Sequence, residues 1–149
     1  MRCPVCGEPL AVTAAGTARA LRCPRRHSFD IARQGYVNLL AGRAPHTGDT
    51  AEMVAARADF LAAGHYDTIA GALAAAATRI VYGDPLAAPS TGPVDSSAAG
   101  GPAEAYPLVV DAGAGTGRYL AAVLAALPEA VGLDLDVSKP ALRRAARAH

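Results

Sequence analysis

All three cysteines of this 149-residue chain lie within its first 23 positions, and one histidine completes their pattern. Cys3-x2-Cys6 and Cys23-x3-His27 form two close pairs with sixteen residues between them. In "CPVCG", Pro4 lies inside the turn and Gly7 follows it, so the backbone can fold round an ion. Three thiolates and an imidazole suit tetrahedral zinc. Four protein ligands leave no open coordination position, so the metal is expected to be structural. The rival reading is three reduced cysteines and a surface histidine. A module spanning residues 1–35 is too small to bury a core alone: below about 40 residues a metal or disulfides are usually needed. Its Arg, Gly and turn residues predict two small hairpins. The N-terminus lacks the apolar stretch of a signal peptide, and no run of about 18 apolar residues exists to span a membrane. The chain is therefore read as cytoplasmic, with no membrane partner and with its cysteines reduced and available to metal.

The net charge of +1 hides an asymmetry. Residues 1–43 carry seven Arg against Glu8 and Asp30, whereas residues 44–136 carry three Arg against eleven acids. Lys139, Arg143, Arg144 and Arg147 close the chain with no acid among them. A basic module on an acidic body is expected to meet a polyanion; a solvated Arg-rich loop is the plainer alternative. Arg19, Arg22, Arg25 and Arg26 lie between or beside the ligand pairs, where a rigid knuckle would present them to phosphates. Phe29 and Tyr36 are expected to pack rather than stack on bases.

Residues 36–48 read as a connector to a helical pair that ends at residue 82. The first helix is predicted from about Asp49 to Ala63. It has a D-x-x-E capping box of Asp49 and Glu52, an apolar face of Met53, Ala56, Phe60 and Ala63, and a stop at Gly64. The second follows Asp67 and runs to about Val81, with Ile69, Leu73, Ala76 and Ile80 on one face. Residues 83–107 are dominated by Pro, Gly, Ser and Ala and read as a flexible linker. Beyond it, "LVVDA" predicts a buried strand, "GRYLAAVLAALP" an amphipathic helix ended by Pro128, and "AVGLDL" a second strand. Ser138 is placed to cap a last helix with Pro140 in its first turn. Strand, helix, strand and helix at this spacing predict a parallel, right-handed βαβ unit over residues 108–149, an α/β fold.

The first turn of that unit is "DAGAGTGRY". A dinucleotide fingerprint, G-x-G-x-x-G/A, counted from Gly113 would end on Arg118, so it fails, and with it a nucleotide-binding oxidoreductase. No Gly-Lys-Ser/Thr is present for a Walker loop. The acid-x-G-x-G-x-G pattern instead resembles the first motif of class I S-adenosylmethionine-dependent methyltransferases. That cofactor has no pyrophosphate; it needs close backbone approach beside its amino-acid moiety and an acid, Asp111, for its cationic end. An acid at the end of the second strand should accept hydrogen bonds from ribose hydroxyls. Asp134 and Asp136 both qualify and point the same way. Asp136, nineteen residues past Gly117, is favoured. The plain alternative is a glycine turn that merely packs strand on helix.

With "CPVCGEPL", "CPRRHSFDIARQGYVNLL", "GDTAEMVAARADFLAAGHY" and "GLDLDVSK", the chain resembles the large-subunit ribosomal RNA (guanine-N1)-methyltransferases, both housekeeping and macrolide-resistance members. The resemblance implies a zinc module that helps recognise a ribosomal RNA hairpin, joined to the N-terminal part of a class I (Rossmann-like) methyltransferase domain. It implies zinc on Cys3, Cys6, Cys23 and His27. It implies cofactor contacts from Tyr66 and, at the methionine end, from Gly113, Gly115, Thr116 and Gly117. The reaction would move a methyl group to N1 of a guanine. N1 carries a proton that must be lost, and no convincing base is visible; His65 is expected to be structural. A complete class I sheet has more strands than the two predicted here, so a truncated enzyme without turnover is expected. The alternative is a non-catalytic zinc-dependent RNA-binding module with a vestigial methyltransferase half-domain. The oligomeric state stays open, a homodimer included.

Overall fold

The computed structural model describes residues 1–40, 48–83 and 106–148. The expected linker, except for its margins, and much of the connector lie outside the described residues.

β1 (Ala11–Ala15), β2 (Ala18–Arg22) and β3 (Ser28–Ile31) form an antiparallel meander. An antiparallel bridge pairs Arg2 with Pro9, and a second pairs Ile31 with Val37. The expected two hairpins are thus a three-stranded sheet with a single-bridge turn beside it. Each ligand pair occupies a turn: Cys3 and Cys6 between Arg2 and Pro9, and Cys23 and His27 between β2 and β3. Every residue of β1 is exposed. Among residues 1–40 only Cys3, Ala20 and Cys23 are buried. The centre of this module is its ligand cluster, because so few apolar side chains converge there.

α1 (Ala51–Ala62) and α2 (Asp67–Tyr82) follow. Thr50 caps α1, its Oγ1 accepting from the Met53 N–H at 3.3 Å. The expected cap, Asp49, is held back: its carbonyl accepts from Ser138 Oγ at 2.7 Å. Its carboxylate takes an ion pair from Arg57 at 3.0 Å. The expected apolar faces are also corrected. Val54, Ala58 and Leu61 of α1 and Ala70 of α2 are buried, whereas Met53, Phe60, Ile69, Leu73 and Ile80 are exposed. Both helices carry apolar residues on more than one stripe, and the alanine-rich stripe wins because it lets helices approach closely.

β4 (Leu108–Ala112), α3 (Arg118–Ala126), β5 (Val131–Leu135) and α4 (Lys139–Ala145) form the expected βαβ unit, with β4 and β5 parallel. Leu120 and Leu127 are almost completely buried. Each such burial contributes roughly 1.5–3 kcal/mol. β4 alternates between exposed and half-buried residues instead of being buried. A parallel pair is buried only when layers cover both faces, and here Leu108 and Val110 stay open. α2 packs on α3, and α1 on α4.

Ser138 joins these parts. It is 1% exposed, and its Oγ accepts from the Ala141 N–H while donating to Asp49. Ser138→Ala removes a helix cap and orphans a carbonyl. It is expected to lower stability by about 2 kcal/mol or more, read as a lower urea midpoint with an unchanged slope.

Candidate metal centre and cofactor loop

The four metal-ligand candidates converge. One ligand atom from each of Cys3, Cys6, Cys23 and His27 lies within 4.8 Å of all the others. His27 Nδ1 is 3.3 Å from Cys23 Sγ and 3.7 Å from Cys3 Sγ, and the Cys6 and Cys23 sulfurs are 3.6 Å apart. A tetrahedron with ordinary zinc–sulfur and zinc–nitrogen bonds has edges of about 3.5–3.8 Å. The donor set and its spacing therefore fit zinc. Burial works against ionising Cys3, but hydrogen bonds from the Val5 and Cys6 backbone and from the Cys6 and Cys23 side chains together outweigh it, so its thiol ionises more readily than usual. Arg19, Arg22, Arg25 and Arg26 are all exposed around the centre.

The glycine loop is pinned to the end of β5. The Gly113 and Ala114 N–H groups donate to the Leu135 carbonyl at 2.7 and 3.1 Å. The Gly115 N–H donates to Asp136 Oδ2 at 2.9 Å, and the Ser138 N–H to Asp136 Oδ1 at 2.7 Å. Asp136, expected to meet ribose, is thus also the clamp of the loop. A carboxylate offers about four lone-pair sites, so two remain for further donors. Asp111 is the register partner of Asp134. Its Oδ2 is buried and has no hydrogen-bond partner among the described residues. Burial, and then the nearby Asp136 carboxylate, raise the Asp111 pKa above the ordinary aspartate value.

The glycines have different reasons to be there. A Cβ on Gly117, at φ +77, would lie 2.8 Å from Ala145 Cα, so that glycine lets α3 start against α4. Gly113, at φ +86, has nothing within 4 Å of its missing Cβ. That open space fits close backbone approach by a ligand, two residues after the acid of β4. Thr116 is buried and lines a cleft of about 780 Å³ between α1, α3 and α4. Asp111, Gly113, Tyr66 and Asp136 do not line that cleft.

Tyr66 precedes α2, partly exposed, with its ring edge-on to Phe60 at 5.6 Å between centroids. His65 stacks on Phe60 at 4.9 Å, in keeping with a structural role. A close ion pair joins Asp67 to Arg118, bringing the segment beside Tyr66 to the helix that follows Gly117. Sequence reasoning overlooked Arg57, which reaches over the loop: its Cδ is 3.9 Å from a Cβ placed on Gly115. A charged residue between the predicted apolar positions Met53 and Phe60 was the available signal.

A zinc ribbon followed by a parallel, Rossmann-like βαβ unit is the class these features define. Residues 1–45 match the family model of the RlmA N-terminal zinc ribbon. Over its full length the chain is 68% identical to a Micromonospora griseorubida protein assigned as a 23S rRNA (guanine-N(1)-)-methyltransferase, covering 48% of that protein. It is 46% identical, again over its full length, to the 23S rRNA (guanine(748)-N(1))-methyltransferase of Streptomyces fradiae, covering 45% of it. Along its whole length the chain is similar to 23S rRNA (guanine-N1)-methyltransferases, and it spans about half the length of the curated relatives it matches.

Three outcomes are expected here. Cys6→Ser lowers zinc content and abolishes the meander's structure, read by metal analysis and amide exchange. Acidification releases zinc from the native chain as the thiolates and imidazole take up protons. Gly113→Ala costs about 1–2 kcal/mol of stability from its left-handed backbone alone, whereas Gly117→Ala costs clearly more because it also meets Ala145, read from thermal melts.

Proposed function

We propose that this chain is the RNA-recognition and cofactor-loop portion of an enzyme that methylates N1 of a guanine in a large-subunit ribosomal RNA hairpin. Two observations support the cofactor assignment: the buried Asp111 oxygen, which has no hydrogen-bond partner among the described residues, and the open space at Gly113, two residues on. When bound, S-adenosylmethionine supplies an electrophilic methyl carbon on a sulfonium. Asp111 holds the ammonium of its amino-acid end, and Gly113, Gly115, Thr116 and Gly117 form the adjoining turn. Asp136 offers its remaining lone pairs to the ribose hydroxyls while it clamps the loop. Tyr66 reaches the cofactor from the start of α2.

The zinc ribbon, with zinc on Cys3, Cys6, Cys23 and His27, presents Arg19, Arg22, Arg25 and Arg26 to RNA phosphates. Arg26 supports this. It adopts φ +67, a left-handed backbone that costs a non-glycine residue about 1–2 kcal/mol. A charged side chain kept where glycine would be easier points to a use for the charge. A splayed loop base meets such a surface at low unstacking cost. Such a substrate puts the protein in the cytoplasm. Among the described residues, no helix is long and apolar enough to cross a membrane.

A second reading, a non-catalytic zinc-dependent RNA-binding module, draws on the two-stranded sheet with an open apolar face. Equilibrium binding separates the two. Residues 1–149 are expected to bind both hairpin RNA and S-adenosylhomocysteine, without turnover; RNA binding alone favours the second reading. Turnover is tested in a chimera carrying the part of the Micromonospora relative that this chain lacks. Methylation at N1 blocks base pairing, so reverse transcription is expected to stop at the target guanine. The same chimera with Asp111→Ala should give no stop, and a full stop from it would overturn Asp111's role.

A further inference from the structure

The amino-acid end of S-adenosylmethionine carries a carboxylate as well as an ammonium, and the loop surroundings are acidic. Asp111 and Asp134 face each other in register, and Asp136 follows two residues on. A carboxylate brought to this loop needs a cation to offset three acids. The geometry points to Arg57 as the residue that binds that carboxylate, opposite Asp111 on the ammonium. This assignment rests on the cofactor reading above and extends it to a residue on a different element.

Four observations carry it. Arg57 reaches over the loop at Gly115, the position between the open Gly113 and the packed Gly117. Its guanidinium is partly exposed and spends one nitrogen on Asp49. Of its five N–H donors, most remain for a ligand. The arginine is also aimed: Asp49 is fixed through its carbonyl by Ser138 Oγ. Ser138 N–H and Gly115 N–H meet on the two oxygens of Asp136. A chain of contacts thus runs from Arg57 through Asp49, Ser138 and Asp136 to the Gly115 N–H, tying the arginine's anchor to the loop. Last, the neighbouring cation is engaged elsewhere. Arg118 is paired with Asp67 and lines the cleft between the helices.

The test compares two ligands that differ only at the amino-acid end. S-adenosylhomocysteine keeps the carboxylate; 5′-deoxy-5′-methylthioadenosine lacks the whole amino-acid group. Calorimetric titration of the native chain, Arg57→Gln, Arg57→Lys and Arg118→Gln is the measurement. Arg57→Gln is expected to weaken S-adenosylhomocysteine by about ten- to hundred-fold and to leave methylthioadenosine within about two-fold. Arg57→Lys keeps the charge but loses the planar fork, and falls between. Thermal melts of each variant confirm folding. Equal weakening of both ligands by Arg57→Gln, or of neither, overturns the assignment. So does an S-adenosylhomocysteine-specific loss that follows Arg118 instead. A native chain that binds neither ligand overturns the cofactor reading itself, and the assignment with it.

Discussion

The carboxylate of Asp136 accepts hydrogen bonds from two backbone N–H groups that belong to different structures, the glycine loop at Gly115 and the cap of α4 at Ser138. Ser138 then turns its hydroxyl to the Asp49 carbonyl at the entry to α1. One side chain at a strand end thus sets where the loop lies, where the last helix begins and where the first helix approaches. Charge-assisted bonds of this kind are about twice as strong as neutral ones. Here they replace much of the packing that a chain with mostly alanine in its helix contacts cannot supply.

The two halves are held by different physics. In residues 1–40 two of the three buried residues, Cys3 and Cys23, belong to the ligand set, so a metal site stands where other domains keep leucine and phenylalanine. In the βαβ unit, Leu120, Val123 and Leu127 make an apolar centre. The charge pattern follows the same division: arginines surround the ribbon and acids surround the loop.

Much of this was legible in the chain. Cys3, Cys6, Cys23 and His27 announced their site because metal chemistry dictates both residue type and spacing. The strands, the Ser138 cap and the parallel pairing followed from apolar runs and turn residues, which are local signals. The helix faces were not legible. Phe60, Ile69 and Leu73 outrank alanine in apolarity, so periodicity favours them, yet close helix contact selects Ala58 and Ala70. Asp49 was misread as a cap because Ser138, 89 residues away, claims its carbonyl. The place of Arg57 over Gly115 was not legible for the same reason: the two lie far apart along the chain.

Gly117 meets the backbone of Ala145 where any side chain would collide. With no slack between them, loop and helix cannot slide independently, because packed interiors do not deform continuously. Arg143 on the same helix donates to the Tyr36 hydroxyl at 3.3 Å, just past the ribbon. A missing methyl group therefore makes the glycine turn and α4 one mechanical body, and that body has a handle on the Cys/His end of the molecule.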